Sequence, residues 1–184
     1  EGTIIVSEEQ TNGKGRIGRK WHSKSKEGIW MSIILKPEMI PQKAPFITLI
    51  AGASIVKALN NLGIETTIKW PNDIIINNKK VGGILTELSA GIDKINYIVL
   101  GIGINVKTTE FSQEISEIAT SLYKEGYKIP RIDIIINILR EFEELYLKYI
   151  NKNSKKDTLD ICRKYSAIIG KDVHLIKGED KELV

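Results

Sequence analysis

An α+β fold, a mixed and mostly antiparallel β-sheet packed against helices, is expected from three features of the 184-residue chain. Strand patterns crowd its first 106 residues. One stretch, 73–88, reads as a tight hairpin, which joins antiparallel neighbours. The longest helical pattern comes late, after Pro130, instead of alternating with strands as in a parallel βαβ chain.

The elements follow in order. Residues 3–9, "TIIVSEE", read as a strand, and a basic glycine loop follows it. Residues 28–36, "GIWMSIILK", form a largely buried strand closed by prolines 37, 41 and 45. Phe46, Ile47, Ile50, Ala53, Ile55, Val56, Leu59 and Leu62 fall at helical spacings, with Gly63 as the C-terminal cap. "ETTIKW" (65–70) is a strand stopped by Pro71, and the 73–88 hairpin turns at Asn77-Asn78. "INYIVLGIGINV" (95–106) is a buried strand interrupted by Gly101 and Gly103. After Pro130, the stripe Ile132, Ile135, Leu139, Phe142, Tyr146 and Tyr149 predicts an amphipathic helix. A lysine-rich link (152–156) leads to a short helix carrying Leu159, Cys162 and Tyr165, ended by Gly170. The last residues read as a hairpin turning at Gly178-Glu179-Asp180. A lone hairpin is marginal in water, so a second, small β-domain is expected to begin here.

Composition narrows the class. Hydrophobic residues make up 42 % of the chain and charged residues 27 %, an ordinary globular balance. No run approaches the ~20 apolar residues of a membrane helix. The first segment lacks the pattern of a signal peptide, so the expected location is cytoplasmic, with no membrane partner. The single Cys162 excludes an intrachain disulfide and reads as a small buried apolar group. The net charge of +4 permits nucleic-acid binding without requiring it.

The basic charge is concentrated. Between Asn12 and Lys26 stand six basic residues, Lys14, Arg16, Arg19, Lys20, Lys24 and Lys26, and no acid. Gly13, Gly15 and Gly18 spell G-x-G-x-x-G among them. A dinucleotide-binding turn needs a helix to open there, but "RKWHSKSKEG" has no helical period. The kinase signatures and the Lys-Ser/Thr phosphate loop are absent as well. Bare backbone N–H groups beside Arg16 and Arg19 still suit an anion. The loop is expected to enclose a phosphate and to be mobile when empty.

A second constellation lies in "KWPNDIIINNKKVGG" (69–83). Lys69, Asp73 and Lys80 are ionisable groups on apolar strands. Asn72 and Asp73 are expected to bond their own backbone in a turn, and Lys80 to face back along the hairpin. Gly82-Gly83, and Gly101 and Gly103 in "GIGIN", leave patches of strand where a ligand can lie against backbone.

"GKGRIGRKW", "KWPNDI", "KVGGIL" with Glu87, and "GIGIN", in that order, resemble the catalytic domain of biotin–protein ligases over about residues 2–168, which implies that 1–168 is the catalytic domain and that 169–184 begin the family's small C-terminal β-barrel. The resemblance implies that biotin attacks the α-phosphate of ATP, giving biotinyl-5′-AMP and pyrophosphate. A lysine of a biotin carboxyl carrier domain then takes the biotinyl group and AMP leaves. Biotin and ATP are the substrates, and Mg²⁺ accompanies the ATP, held mainly by its phosphates. Arg16 and Lys80 fall on the positions that neutralise the two reacting anions, and Asp73 is the candidate to orient or deprotonate the carrier lysine. Gln10, Gly13, Lys14, Gly15, Arg16, Lys80, Gly83, Gly101 and Gly103 match positions at the biotin. Arg16, Arg19, Trp21, Asp73, Lys80 and Asn105 match positions at the ATP or adenylate, Trp21 offering a ring face to the adenine. Lys14 stands where arginine is common, which keeps the charge and loses the planar fork. The family also carries a Ser/Thr-rich segment that binds the ureido ring, upstream of the first strand read here.

Three rivals remain open on the sequence: a lipoate–protein ligase of the same fold, a biotin-responsive repressor if a helix-turn-helix precedes the chain, and a non-catalytic scaffold. A homodimer paired through sheet edges is also expected from the resemblance.

Overall fold

The computed structural model describes residues 1–177 and 180–183. Six strands build the main sheet: β1 (Thr3–Ser7), β2 (Gly28–Leu35), β3 (Thr67–Lys69), β4 (Asp73–Ile76), β5 (Lys79–Ala90) and β6 (Ile95–Asn105). Their spatial order is β1-β2-β6-β5-β4-β3, and every neighbouring pair is antiparallel. The fold is α+β, yet the sheet is not mixed. Parallel pairing among the described residues is confined to two single bridges, Ile68 with Ser166 and Lys80 with Ala119.

Alternation sets the two faces of this sheet. Ile29, Met31, Ile33 and Leu35 of β2, and Ile98, Leu100, Ile102 and Ile104 of β6, turn inward and are all buried. Helix α1 (Pro45–Asn61) lies on that face, with Thr48 Oγ1 2.8 Å from Thr86 Oγ1. Helices α2 (Arg131–Lys152) and α3 (Lys156–Lys164) pack against α1 in turn. α1 is therefore covered on most sides, which is why Ala51, Gly52, Ala53 and Ser54 are as buried as Ile47, Ile50 and Ile55. Ser54 donates to the Ile50 carbonyl at 2.7 Å, so its hydroxyl is not orphaned there.

The helix ends obey local chemistry. Gly63 (φ 77°) follows α1, with Ile64 N–H donating to Leu59 O and Gly63 N–H to Asn60 O. That is a Schellman cap, and only a residue at ease with positive φ closes it cheaply. Asn153 takes the left-handed conformation after α2 (φ 48°), a stop that the sequence reading placed inside the 152–156 link. The β4–β5 turn has Asn77 at φ 47° and Asn78 at φ 63°, the paired positive values of a type I′ hairpin.

Two sequence readings need correction. The stripe on α2 starts one position off: Ile134, Ile138, Phe142, Leu145, Tyr146 and Tyr149 are buried, while Ile132 is 58 % exposed. Ile132, Ile134, Ile135, Ile136, Ile138 and Leu139 are all apolar, so periodicity alone admits either register. Packing on α1 selects one of them. Helix α3 ends at Lys164, well before Gly170. The residues between leave the helix and pair with β3 instead: Ile68 N–H donates to Tyr165 O and Ala167 N–H to Ile68 O. Cys162 is half-buried, and burial pushes its thiol up to about 11, so it is an unreactive packing group. Strands β7 (His174–Lys177) and β8 (Asp180–Leu183) form a separate two-stranded sheet. Residues 178 and 179 of the expected turn lie outside the described residues.

The register on α2 has a direct check by urea denaturation. Ile138→Ala is expected to cost about 2–5 kcal/mol of stability, and Ile132→Ala less than about 0.5 kcal/mol. A larger loss for Ile132→Ala than for Ile138→Ala would restore the sequence-derived stripe.

Candidate active site

The sheet face opposite α1 carries a row of facing residues. Ser7, Trp30, Gly103, Gly83, Asp73 and Lys69 stand opposite one another across all six strands. Two of them lack side chains, and the glycine loop lies against that gap. The loop is itself a small hairpin, not a helix opening. Trp21 N–H donates to Gly13 O at 2.9 Å and Gly15 N–H to Arg19 O at 2.7 Å, with a tight turn at Arg16–Gly18. Ile17 (φ 56°) and Gly18 (φ 70°) form the tip, and the Ile17 side chain is exposed.

Trp21 joins loop to sheet. A methyl group at Gly103 would stand 2.7 Å from the Trp21 ring, and one at Gly83 would stand 3.1 Å from it. The ring also meets Trp30 edge to face, centroids 6.3 Å apart. The glycine ribbon is therefore only partly bare. Trp21 covers Gly83 and Gly103, and Gly101 stays open beside Ser32 and Leu85.

Loop and sheet enclose a cavity of about 440 Å³, within the ordinary range of small-molecule sites. Gln10, Gly13, Lys14, Gly15, Arg16, Trp21, Lys80, Gly83, Gly101 and Gly103 all line it, so most of the sequence-predicted residues converge. Arg16 Nη1 donates to Asn72 Oδ1 at 2.7 Å. Asn72 is held in turn by β5, since its Nδ2 donates to Ile84 O and its carbonyl accepts from Ile84 N–H. Lys80 Nζ lies 2.6 Å from Asp73 Oδ1 and 5.4 Å from the centre of the Trp21 ring. The expected self-bonded Asn-Asp turn is thus not what forms. Each side chain reaches across to a cation or to β5, because β4 and β5 pair directly behind it.

Other predicted residues stand apart. Arg19 is exposed on the returning arm of the loop and does not line the cavity. Asn105 is buried at the end of β6, where its Nδ2 donates to Thr120 O at 3.0 Å. Lys69 is exposed at the end of the residue row. Asp73 reaches the cavity through Lys80.

The sequence reading missed Asn72 as the partner of Arg16, and Ser32 and Glu87 as lining residues. Glu87 was findable: Gly83, Leu85 and Glu87 share one face of a strand. It lies 3.9 Å from Lys14, an exposed pair of little worth.

The base of the loop is pinned from outside the cavity. Arg131, in the first turn of α2, donates to Glu8 Oε2 at 2.9 Å and Oε1 at 3.1 Å, and to Gly28 O at 3.1 Å. One guanidinium thus holds both ends of the loop. The Arg131 hydrogen bond keeps the Glu8 carboxyl below its ordinary value.

These features define a class of protein: a basic hairpin closed over a glycine-bearing antiparallel sheet, with Arg16 and Lys80 lining the cavity between them. Residues 1–105 match the family model described as the biotin/lipoate A/B protein ligase family, and the chain belongs to that family. It is 47 % identical over 154 residues to the bifunctional ligase/repressor BirA of Bacillus subtilis, covering 82 % of this chain and 47 % of that protein. It is 33 % identical over 159 residues to the biotin–[acetyl-CoA-carboxylase] ligase of Mycobacterium tuberculosis, covering 83 % and 57 %. The chain thus spans about half the length of these curated relatives. Among solved structures, the biotin protein ligase from Aquifex aeolicus in complex with biotin and ATP superposes with a TM-score of 0.83. The identity there is 34 %, over 99 % of this chain and 75 % of that one.

The Glu8 pin has a pH signature. Its folded pKa is lowered, so its stabilisation is complete above the unfolded value and fades as pH falls through the folded one. Lys26 N–H donates to Glu8 O, and its hydrogen-exchange protection reports the pin. At neutral pH, Arg131→Gln is expected to lower that protection; acidification should produce the same loss in the wild type and little more in the variant. Unchanged protection in Arg131→Gln would refute the pin.

Proposed function

We propose that this chain activates biotin with ATP as biotinyl-5′-AMP, releasing pyrophosphate, and passes the biotinyl group to a lysine of a biotin carboxyl carrier domain. The observation that carries this reading is the convergence of Arg16 and Lys80 on one cavity floored by glycine-bearing strands. The named activities of the similar proteins from Mycobacterium tuberculosis and Aquifex aeolicus support biotin over lipoate. The repressor half of the Bacillus subtilis name belongs to a protein of which this chain matches under half; we assign the ligase half here.

The first step brings a carboxylate against a phosphate. Two unit charges 4 Å apart repel by about 4 kcal/mol at an effective dielectric constant near 20. A cation beside them must offset most of that. Lys80 is held by Asp73 and Arg16 by Asn72, so both charges are placed before a ligand arrives, which spares reorganisation during reaction. Arg16 comes from the loop and meets the phosphate side, while Lys80 comes from β5 and bridges towards the carboxylate. Gln10 and the backbone of Gly13, Lys14, Gly15 and Gly101 face the biotin rings, and Gly83 and Gly103 join them once the Trp21 ring that covers both has moved aside. Arg19, on the returning arm of the loop, and Asn105, held at the end of β6 by its bond to Thr120, serve the nucleotide. Mg²⁺ bound to the ATP phosphates would neutralise part of their charge. Among the described residues no three His, Cys, Asp or Glu side chains cluster to hold a metal, and Mg²⁺ commonly keeps waters and substrate phosphates as ligands.

In the second step the carrier ε-amine must lose a proton before it attacks the mixed anhydride. Once Lys80 has turned from Asp73 to the bound acyl group, the Asp73 carboxylate is free to take that proton, and AMP leaves with the bonding pair. Residues 1–168 form the catalytic domain in this reading, and 169–184 begin the small β-barrel. The protein works in the cytoplasm and pairs as a homodimer. No helix among the described residues is long and apolar enough to cross a membrane.

Pyrophosphate release in the presence of biotin and MgATP, and not of lipoate, tests the reading. Lys80→Ala is expected to lower the rate by about 10²–10³, the usual loss when one preorganised charge donor is removed. Release with lipoate alone would overturn the biotin assignment. Asp73→Ala separates two roles for that carboxylate. Adenylate formed at the normal rate with transfer lost assigns Asp73 to the carrier lysine; loss of both steps assigns it to holding Lys80.

A further inference from the structure

We propose that Thr120 and Glu125 form a hydrogen-bonded latch that positions Lys80, making both positioning residues for the adenylation step. The inference rests on the ligase reading above.

Strand β6 ends at Asn105, where its neighbour β5 still has Lys79 to Val81 to run. That flank of β5 would be bare without a replacement. The chain returns to supply one: Lys80 N–H donates to Ile118 O at 2.7 Å, and Lys80 O accepts from Thr120 N–H at 2.9 Å. Both backbone polar groups of the reactive lysine are therefore engaged by residues 118–120, a short piece with no strand of its own.

Something must hold that piece in place. Thr120 is 1 % exposed, and its hydroxyl donates to Glu125 Oε1. Glu125 Oε2 accepts from Asn77 Nδ2 at 2.6 Å. Asn77 is the first residue of the β4–β5 turn, three positions before Lys80. A closed circuit results, from Lys80 backbone to Thr120, through the Glu125 carboxylate to Asn77, and round the turn to Lys80 again. One carboxylate thus ties the hairpin tip to the piece that flanks it. These same hydrogen bonds, with Lys79 and Lys124 nearby, hold the Glu125 carboxyl below its ordinary value against its partial burial. The circuit also touches Asn105, whose Nδ2 donates to Thr120 O. Lys80 and Asn105 are thereby fixed relative to each other through one threonine.

The requirement is geometric. A two-stranded hairpin tip is marginal by itself, and a misplacement of about 1 Å at a reacting group costs on the order of 10² in rate. Neither Thr120 nor Glu125 lines the cavity, so an effect on adenylation passes through a residue they hold, and Lys80, which does line it, is the one the latch predicts.

A double-mutant cycle on pyrophosphate release by the full-length protein, with biotin and MgATP, tests this. Glu125→Ala is expected to lower kcat by about tenfold, the rate equivalent of losing one such hydrogen bond, with the KM for biotin within about threefold. In a Lys80→Ala background, Glu125→Ala is expected to cost nothing further. Glu125→Gln is expected to restore most of the rate, since the Asn77 amide can rotate to present its oxygen to the new donor. Thr120→Val should behave as Glu125→Ala and Thr120→Ser as wild type, an independent pair should Glu125→Ala fail to fold. Equal losses with and without Lys80, or a wild-type rate in both Glu125→Ala and Thr120→Val, would overturn the latch. A wild-type protein that releases no pyrophosphate would instead remove the ligase reading, and the latch with it.

Discussion

The contact of the Trp21 ring with the backbone of Gly103 and Gly83 is what the site depends on. A β-carbon at Gly103 would lie inside the ring's contact distance, so the loop lies against the sheet only because that side chain is missing. With Trp21 seated, the arms of the loop hairpin are placed, and Arg16 comes within reach of Asn72. The glycines are less a bare floor than a socket. The open part of the floor is Gly101, with Ser32 and Leu85 beside it.

On that socket the charges are arranged in pairs. Arg16 is held by a neutral amide and Lys80 by a carboxylate. The difference has chemical consequences. Arg16 keeps its full charge for an incoming anion, because Asn72 neutralises none of it. Lys80 must exchange one anion for another, and Asp73 is left charged when it does. The arginine therefore suits capture and the lysine suits a step in which charge moves. Two anchors outside the cavity, Arg131 on Glu8 and residues 118–120 on Lys80, serve the same two groups from behind. The walls differ in attachment: β5 and β6 belong to the core, while the loop is joined to it through Trp21, Asn72 and Glu8.

Much of this was legible in the chain. The strands were, because alternation and long Ile and Val runs leave few other solutions. The Asn77-Asn78 turn and the Gly63 cap were, because each needs a positive φ that few residues take readily. Rejection of a dinucleotide turn also stood on local grounds, since no helical period follows Gly18, and the loop is indeed a hairpin. The α2 register was not legible. Six apolar residues between Ile132 and Leu139 satisfy two stripes, and only contact with α1 distinguishes them. Asn72 was read as a turn former because a local bond is all that sequence shows; its acceptor role towards Arg16 spans 56 positions. Asn105 was matched to the nucleotide, and its engagement with Thr120 is likewise invisible from either segment alone.

What the sequence determined by itself was whatever is decided within a turn or two of chain: strand and helix identity, caps, the type I′ hairpin, the concentration of positive charge, and which residue types were available for anion chemistry. The tertiary structure decided which of them meet. Antiparallel register placed Gly83 opposite Gly103 and Asp73 opposite Gly83, and a shift of one residue would have turned all of them to the buried face. Register, helix seating and loop anchoring depend on contacts between segments far apart in sequence, whose energies exist only once the core has formed.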